Sequence, residues 1–209
     1  MGRYTGPKCK LCRRENLKMF LKGDKCATEK CPFSRRPFAP GMHGKQQSKP
    51  SYYALQLREK QKAKRIYGLF EEQFRNVFHK AQKATGVTGR TLLQLLERRL
   101  DSVVYRLLFA YSRNQARQLV RHGNIRVNGK KVDIPSYFVK THDKITVTQN
   151  EAIRKIVKAT VEKDSKERSI PEWMTLDRDN LVAEIVRLPE KEDASLPINE
   201  QLIVELYSK

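Results

Sequence analysis

Residues 1–50 carry no sustained hydrophobic period, and nothing else in the sequence constrains the fold as strongly. Stretches such as "RRPFAPGMHGKQQSKP" are rich in Gly, Pro and basic residues. A segment of this kind buries too little apolar surface to offset its own ordering entropy, so it stays disordered unless something pins it. A metal ion, a nucleic acid, or both together would do so. The same segment holds every cysteine in the chain: Cys9, Cys12, Cys26 and Cys31. Their spacing, C-x2-C-x13-C-x4-C, lets two close pairs turn their sulfurs toward one ion once the chain doubles back. Lys8, Lys10, Arg13, Arg14, Lys25 and Lys30 surround them and favour thiolates over thiols. A structural zinc site supplies about 10–16 kcal/mol of apparent binding energy in finger peptides, enough to fold a segment without a core. Zn2+ is therefore the expected cofactor, and an iron–sulfur cluster is the alternative because four thiolates suit it too. A redox pair would need a βαβ context that the pattern lacks. Four unliganded thiols are the plain rival.

Charge narrows the choice of partner. The chain has 43 Lys+Arg against 23 Asp+Glu, a formal net charge of +20. Self-repulsion of that size is relieved by a polyanion, with nucleic acid the first candidate and an anionic membrane surface the second. No apolar run approaches the ~20 residues of a membrane-spanning helix. The N-terminus shows neither a signal core nor a myristoylation pattern. The expectation is a cytoplasmic protein, with no membrane partner and no stable disulfides. The charge is also uneven. Residues 1–68 hold 18 Lys+Arg and 4 Asp+Glu, residues 69–150 hold 15 and 6, and residues 151–209 hold 10 and 13. The first two thirds are built to face an anion, whereas the last third folds back on the body or meets a protein.

Helical signals begin at Ser51, an N-cap type residue. The helix "YYALQLREKQKAKRIYG" has a thin apolar face and ends at Gly68. Phe70, Phe74, Val77, Phe78 and Ala81 then draw one apolar stripe, stopped by Gly86. Thr88 opens a leucine-rich helix through Leu93, Leu96, Leu100, Val103 and Leu107. Ser112 caps the short helix "RNQARQLVRHG", closed by Gly123, in which Arg113, Arg117 and Arg121 fall within an arc of roughly 80°. The period then changes to two. "IRVNGKKVDI" is a hairpin whose Asn128-Gly129 turn tolerates positive φ at both positions. "YFVK" and "KITVTQ" predict two more strands, residues 151–162 a helix, and the stretch through Pro171 a polar link. "QLIVELY" predicts a final strand buried on both faces.

Binding candidates follow from charge and position. Arg113, Arg117 and Arg121 lead, with His122 beside them and Lys130 and Lys131 in the hairpin. Arg35, Arg36, His43, Lys45 and Lys49 lie in an extended Gly/Pro-rich stretch, which could order along a groove; Arg3 is a further candidate, and Arg13 and Arg14, beside the cysteines, either touch RNA or stabilise the thiolates. Tyr52 can stack on a base or pack in the core. Arg58, Lys62 and Arg65 line the first long helix. Glu190, Glu192 and Asp193 form an acidic stretch suited to a protein contact or to plain solvation. The sequence contains no Walker loop, GxSxG or paired-acid pattern, so neither catalysis nor a small-molecule substrate is expected. A zinc-finger DNA regulator would need a helix projecting from the metal site, and residues 13–25 are short for one.

The stretches "RYTGPKCKLCRRE", "RRPFAPGMHG", "YYALQLREKQKAKRIYG", "EEQFRNVFHKA", "LDSVVYRLLFAYSRNQARQLVRHGNIRVNGKKVDIPSYFV" and "LPINEQLIVELYSK" closely resemble the bacterial small-subunit ribosomal protein S-four family. The likeness runs from Arg3 to Lys209. It is most specific over residues 99–160, which look like the RNA-binding domain named after that family. The resemblance implies an α+β fold: a basic arm stapled by the four-cysteine site (1–45), a helical rRNA-binding domain (46–98), a small RNA-binding domain of two helices and short antiparallel strands (99–162), and a C-terminal segment (163–209) that packs back on the helical domain. It implies binding to a multi-helix junction in the 5′ domain of small-subunit (16S) rRNA and nucleation of subunit assembly. It further implies contact with ribosomal protein S-five and other small-subunit proteins, with effects on translational accuracy. Contact with mRNA where it enters the subunit and possible repression of its own translation are also implied. The cysteines mark the zinc-binding branch. The same RNA-binding domain occurs in pseudouridine synthases and a tyrosyl-tRNA synthetase, but those enzymes carry a separate catalytic domain for which the remaining residues are too few.

Overall fold

The computed structural model describes residues 2–46, 49–166, 168–194 and 197–208. Two compact units emerge, one of Met1–Leu92 with Ser195–Lys209 and one of Leu93–Ala194.

In the first unit, three short helices shape the arm: α1 (Lys8–Arg14), α2 (Asp24–Ala27) and α3 (Pro32–Arg35). The longer α4 (Tyr52–Ile66) and α5 (Glu71–Lys83) follow. The Ser51 side chain accepts from the Ala54 amide at 3.2 Å, satisfying one orphan donor of the first turn of α4. Gly68 stops that helix with φ +66°. α5 buries Phe74, Val77, Phe78 and Ala81, four of the five residues of the stripe expected from the sequence; Phe70 stands at the N-cap instead and is 42% exposed. α6 (Thr88–Glu97) starts in this unit.

The C-terminal segment corrects the sequence reading. "QLIVELY" is not a strand; it lies in α10 (Glu200–Tyr207). A short apolar run does not distinguish helix from strand, and here Asn199 decides by accepting from the Gln201 and Leu202 amides at 3.1 and 3.5 Å. Packing then fixes the choice. Tyr207 stacks on Phe78 at 4.5 Å between ring centroids, and Glu205 accepts from Gln56 at 3.0 Å and from the Tyr52 hydroxyl. At Gly89 a Cβ would come within 2.5 Å of Glu200 Cγ, so α10 lies closely over the start of α6.

The second unit surrounds a core of Leu100, Val104, Phe109, Val120, Ile145, Trp173 and Ile185, with their neighbours. It contains α7 (Leu100–Arg106), α8 (Arg113–Arg121), β1 (Ile125–Val127), β2 (Lys130–Lys131), β3 (Lys144–Val147), α9 (Glu151–Asp164), β4 (Met174–Asp177) and β5 (Val182–Ile185). The sheet order is β2-β1-β3-β5-β4, every neighbour antiparallel. Asn128 (φ +50°) and Gly129 (φ +79°) make the expected hairpin turn.

Three expectations change in this unit. The leucine-rich helix breaks after Glu97, where the Leu100 amide donates to Tyr137 O at 2.8 Å and Arg98 O accepts from Val139 at 3.0 Å. Those bonds use "YFVK" too, which forms only an isolated bridge between Phe138 and Arg99. Beyond the polar link read through Pro171, where no strand was expected, the chain forms β4 and β5; Ala183 and Ile185 alternate inward, and β5 gives β3 a partner.

Candidate nucleic-acid interface

The three arginines of α8 have different surroundings. Ser112 caps the helix by accepting from the Gln115 amide at 3.3 Å, and the spacing places the arginines on one face. Arg113 lies 4.5 Å over the Tyr105 ring, with Nη2 3.8 Å from Glu97. Glu97 is 1% exposed and also accepts from Ser102 and Arg106. Arg117 Nη1 sits 3.4 Å from Asp101, which Arg99 holds through two hydrogen bonds of 3.1 and 2.8 Å. Arg113 and Arg117 are thus drawn onto buried carboxylates, which cannot be left unpaired. Arg121 and His122, at the end of the helix, are exposed.

That helix end meets the hairpin. Gly123 has φ +73°, and a Cβ there would fall 2.0 Å from Lys131 Cε. That positive φ favours glycine, and the close approach shows the Lys131 stem resting against the end of α8. Arg126 stands opposite Lys131 on β2 and Thr146 on β3. Arg126 is exposed between buried Ile125 and Val127, and Lys144 is exposed at the start of β3. Arg121, Arg126, Lys130, Lys131 and Lys144 therefore present cations around one end of the unit, with His122 exposed beside them. Arg126 and Lys144 escaped the sequence reading, although the period-two pattern had already placed Arg126 outward.

In the first unit much of the arm's charge serves the arm itself. Arg13 Nε donates to Phe38 O at 2.9 Å and its guanidinium lies 5.2 Å over the Phe38 ring. Arg14 donates to Pro40 O at 3.1 Å, and Lys45 sits 5.5 Å over the Phe38 ring. Arg58 pairs with Glu15 at 3.2 Å, and Arg65 pairs with the same carboxylate. Glu15 has a fully buried side chain. Burial pushes its carboxyl up against the opposing pull of Arg65 and Arg58. Lys62 pairs with Glu59, and Tyr52 donates to Glu205. Arg3, Arg35, Arg36, His43, Lys45 and Lys49 are exposed.

All four cysteines are free thiols and line one cavity of about 10 Å³ together with Lys8, Lys18, Leu21, Lys22 and Phe33. That space suits a single small body. Among the described residues, however, no group of three or more His, Cys, Asp or Glu is placed to hold a metal ion. The expected clamp is gathered without being drawn into a coordination sphere. The surrounding lysines do not dominate the thiols: burial pushes Cys12 and Cys26 up, and neutral thiols pack as small apolar groups. Cys31 differs. Burial would raise it too, but hydrogen bonds from the Phe33 and Ser34 amides and the charge of Lys18 bring it below the usual thiol value, as expected at a helix start.

Comparisons with known proteins cover the whole chain. The model of the ribosomal protein S4/S9 N-terminal domain matches residues 3–97, and that of the S4 domain matches residues 98–145. The small ribosomal subunit protein uS4 of Thermoanaerobacter sp. (strain X514) is 56% identical over 209 residues, covering 100% of both chains. The protein of the same name from Thermodesulfovibrio yellowstonii is also 56% identical over the full length of both chains. That from Thermus thermophilus is 52% identical over 210 residues, again covering both chains completely.

The chain belongs to the uS4 family. The two family models meet between Glu97 and Arg98, where the leucine-rich helix breaks. The S4-domain match covers α7, α8 and the β1–β3 strands up to Ile145, and so contains the exposed cations at the hairpin end. Of the acidic candidates, Glu190 and Glu192 are exposed. Asp193 is turned inward, accepting from Arg187 at 2.7 Å and from the Glu190 amide at 2.8 Å. Among the described residues no helix is long and apolar enough to cross a membrane.

Proposed function

We infer that this chain is a structural, non-enzymatic protein of the small ribosomal subunit that binds small-subunit (16S) rRNA and works on the ribosome in the cytoplasm. The observation that carries the reading is the exposed cation cluster of the S4 domain, carried on the end of α8, which a buried ionic network ties down, and on the adjoining hairpin. A rigid array of cations matches phosphates fixed in a folded RNA, so affinity comes from counterion release and specificity from RNA shape. Arg121, His122, Lys130 and Lys131, with Arg126 and Lys144, make the phosphate contacts of that domain. Arg113 and Arg117 hold the helix that presents them. In the arm, Arg3, Arg35, Arg36, His43, Lys45 and Lys49 face RNA. Arg13, Arg14, Arg58 and Arg65 keep the arm folded.

The finer proposal is a junction of several helices in the rRNA 5′ domain, with assembly nucleated there, and mRNA passing the arm where it enters the subunit. Exposed Glu190 and Glu192 would meet ribosomal protein S-five. Cys9, Cys12, Cys26 and Cys31 would hold Zn2+, which when bound closes the arm as a structural crosslink. Four free thiols around one small cavity, in a segment with little core, support this reading. An iron–sulfur cluster remains the alternative, and elemental analysis of the purified protein separates the two.

The test of rRNA binding is a salt titration against a transcript of the 16S 5′ domain. Log affinity should fall steeply with log salt, by about 0.9 per phosphate neutralised in a duplex. K130Q/K131Q should reduce that slope by nearly two, whereas a salt-independent affinity would overturn the phosphate-led mechanism.

A further inference from the structure

We propose that Asn128 is a deamidation site guarded by the fold, and, resting on the rRNA-binding reading above, that its conversion to a carboxylate weakens RNA binding by releasing the cationic hairpin from β3. Asn128-Gly129 is the one Asn-Gly pair in the sequence. Glycine puts no side chain beside the backbone nitrogen that attacks in this reaction. Here a Cβ at Gly129 would meet nothing within 4 Å, and Asn128 is itself exposed. The Gly129 nitrogen gives up its proton and bonds to Asn128 Cγ. The Cγ–Nδ2 bond then breaks, and Nδ2 takes up a proton and leaves as ammonia. Water opens the resulting succinimide at one carbonyl or the other, giving aspartate or isoaspartate.

The fold holds the Asn128 carboxamide by both ends. Oδ1 accepts from the Lys144 amide at 2.8 Å, and Nδ2 donates to Asp143 Oδ1 at 2.8 Å. The Asn128 backbone adds a third bond, donating to Lys144 O at 2.8 Å. Attack makes Cγ tetrahedral and expels Nδ2, so it disrupts the bonds to both side-chain partners. Asp143 cannot follow the departing group. It is 7% exposed, and its Oδ2 accepts from the Lys140 amide at 2.7 Å.

The same contacts select the amide over the acid. β1 pairs with β2 and β3 as far as Val127, and Asn128 extends the hold of the turn on β3. Lys130 and Lys131 follow the turn and Lys144 faces it, all three exposed. The turn itself favours Asp-Gly as well as Asn-Gly. In this fold, however, an acid at position 128 would set an oxygen where Nδ2 now lies, 2.8 Å from Asp143 Oδ1. Two acceptors at that distance forfeit their hydrogen bond and repel when charged. Isoaspartate would also lengthen the main chain between β1 and β2 by one carbon.

The first test incubates the wild-type full chain in mildly alkaline buffer, folded and in urea, and follows Asn128 by peptide mapping. Conversion should be at least roughly tenfold faster in urea, where the guarding contacts are open. Equal rates would overturn the guard, and an intact amide in both states would overturn the site. Neither result depends on a variant folding. The second test measures affinity for the 16S 5′-domain transcript. N128D should bind about tenfold more weakly, through loss of a charge-assisted bond that holds the binding geometry. N128D/D143N returns a donor opposite an acceptor and leaves an oxygen for each of the Lys144 and Lys140 amides. It should recover to within about threefold of the wild type. A single variant that binds like the wild type, or a double variant as weak as the single, would overturn the effect on RNA binding. If the wild-type chain fails to bind, the rRNA reading and that effect fall together, and the urea comparison still decides whether Asn128 is the site.

Discussion

The arm and the S4-domain unit order themselves by opposite means. Among the described residues before 50, the buried apolar side chains are Met19 and three cysteines. Order there comes from Arg13 and Arg14 on the carbonyls of residues 38–40, from Glu15 bridging to α4, and from four thiols around one cavity. The second unit has a continuous core of more than twenty buried side chains, and its ion pairs serve orientation more than cohesion. A basic segment without a core can fold only by polar and thiol contacts, and those leave its remaining cations outward for a partner. A cored unit can instead draw cations inward, as it does with Arg113 and Arg117.

The sharpest way to break this contrast is at the cysteines. Cys12→Ser, or chelation of the native protein, should open residues 1–45 to proteolysis while residues 93–194 stay protected. The effect is large if the four thiols hold a metal, given about 10–16 kcal/mol of apparent binding energy in such sites. An arm as resistant as the wild type would mean that the arginine–carbonyl contacts suffice. Next in size is Trp173→Ala. Trp173 is fully buried, and its removal should cost about 3–5 kcal/mol, lowering the melting temperature of the S4-domain unit. Hydrogen exchange in α1 to α3 should not change. A loss shared by both regions would show that they are not separate in stability.

The smallest effect concerns Glu71 and sharpens the role of polar clamps in the first unit. Burial raises its carboxyl, but hydrogen bonds from Lys60 and Lys64 outweigh this and hold it at about 2, below its ordinary 4.5. A depressed carboxylate contributes stability that is complete above pH 4.5 and is lost as pH falls toward 2. Thermal melts between about pH 6 and pH 3 should therefore show a modest loss in the wild type that Glu71→Gln lacks. Parallel acid responses in the two proteins would remove Glu71 from this role.

α5 and α8 were legible in the sequence because each carries an apolar period, and α4, whose apolar face is thin, because strong helix formers follow a serine cap; α8 has a serine cap as well. Asn128-Gly129 was legible because few residue pairs tolerate that turn. "QLIVELY" was misread because seven mostly apolar residues satisfy both periods, and the docking of Tyr207 on Phe78 made the choice. β4 and β5 were missed because four-residue strands depend on a neighbour to exist. The shared face of Arg113, Arg117 and Arg121 was correct in spacing, yet only folding brings Glu97 and Asp101 to two of them.

The sequence alone determined the amphipathic helices, the hairpin turn, the grouping of the cysteines and the excess of positive charge. These are local: each depends on residues within a few positions, where backbone sterics and periodicity act. Tertiary structure decided which cations pair with internal carboxylates and which remain for RNA, because pairing depends on which side chains meet across elements far apart in the chain. It also decided that the terminal segment is a helix and that the cysteines share one cavity.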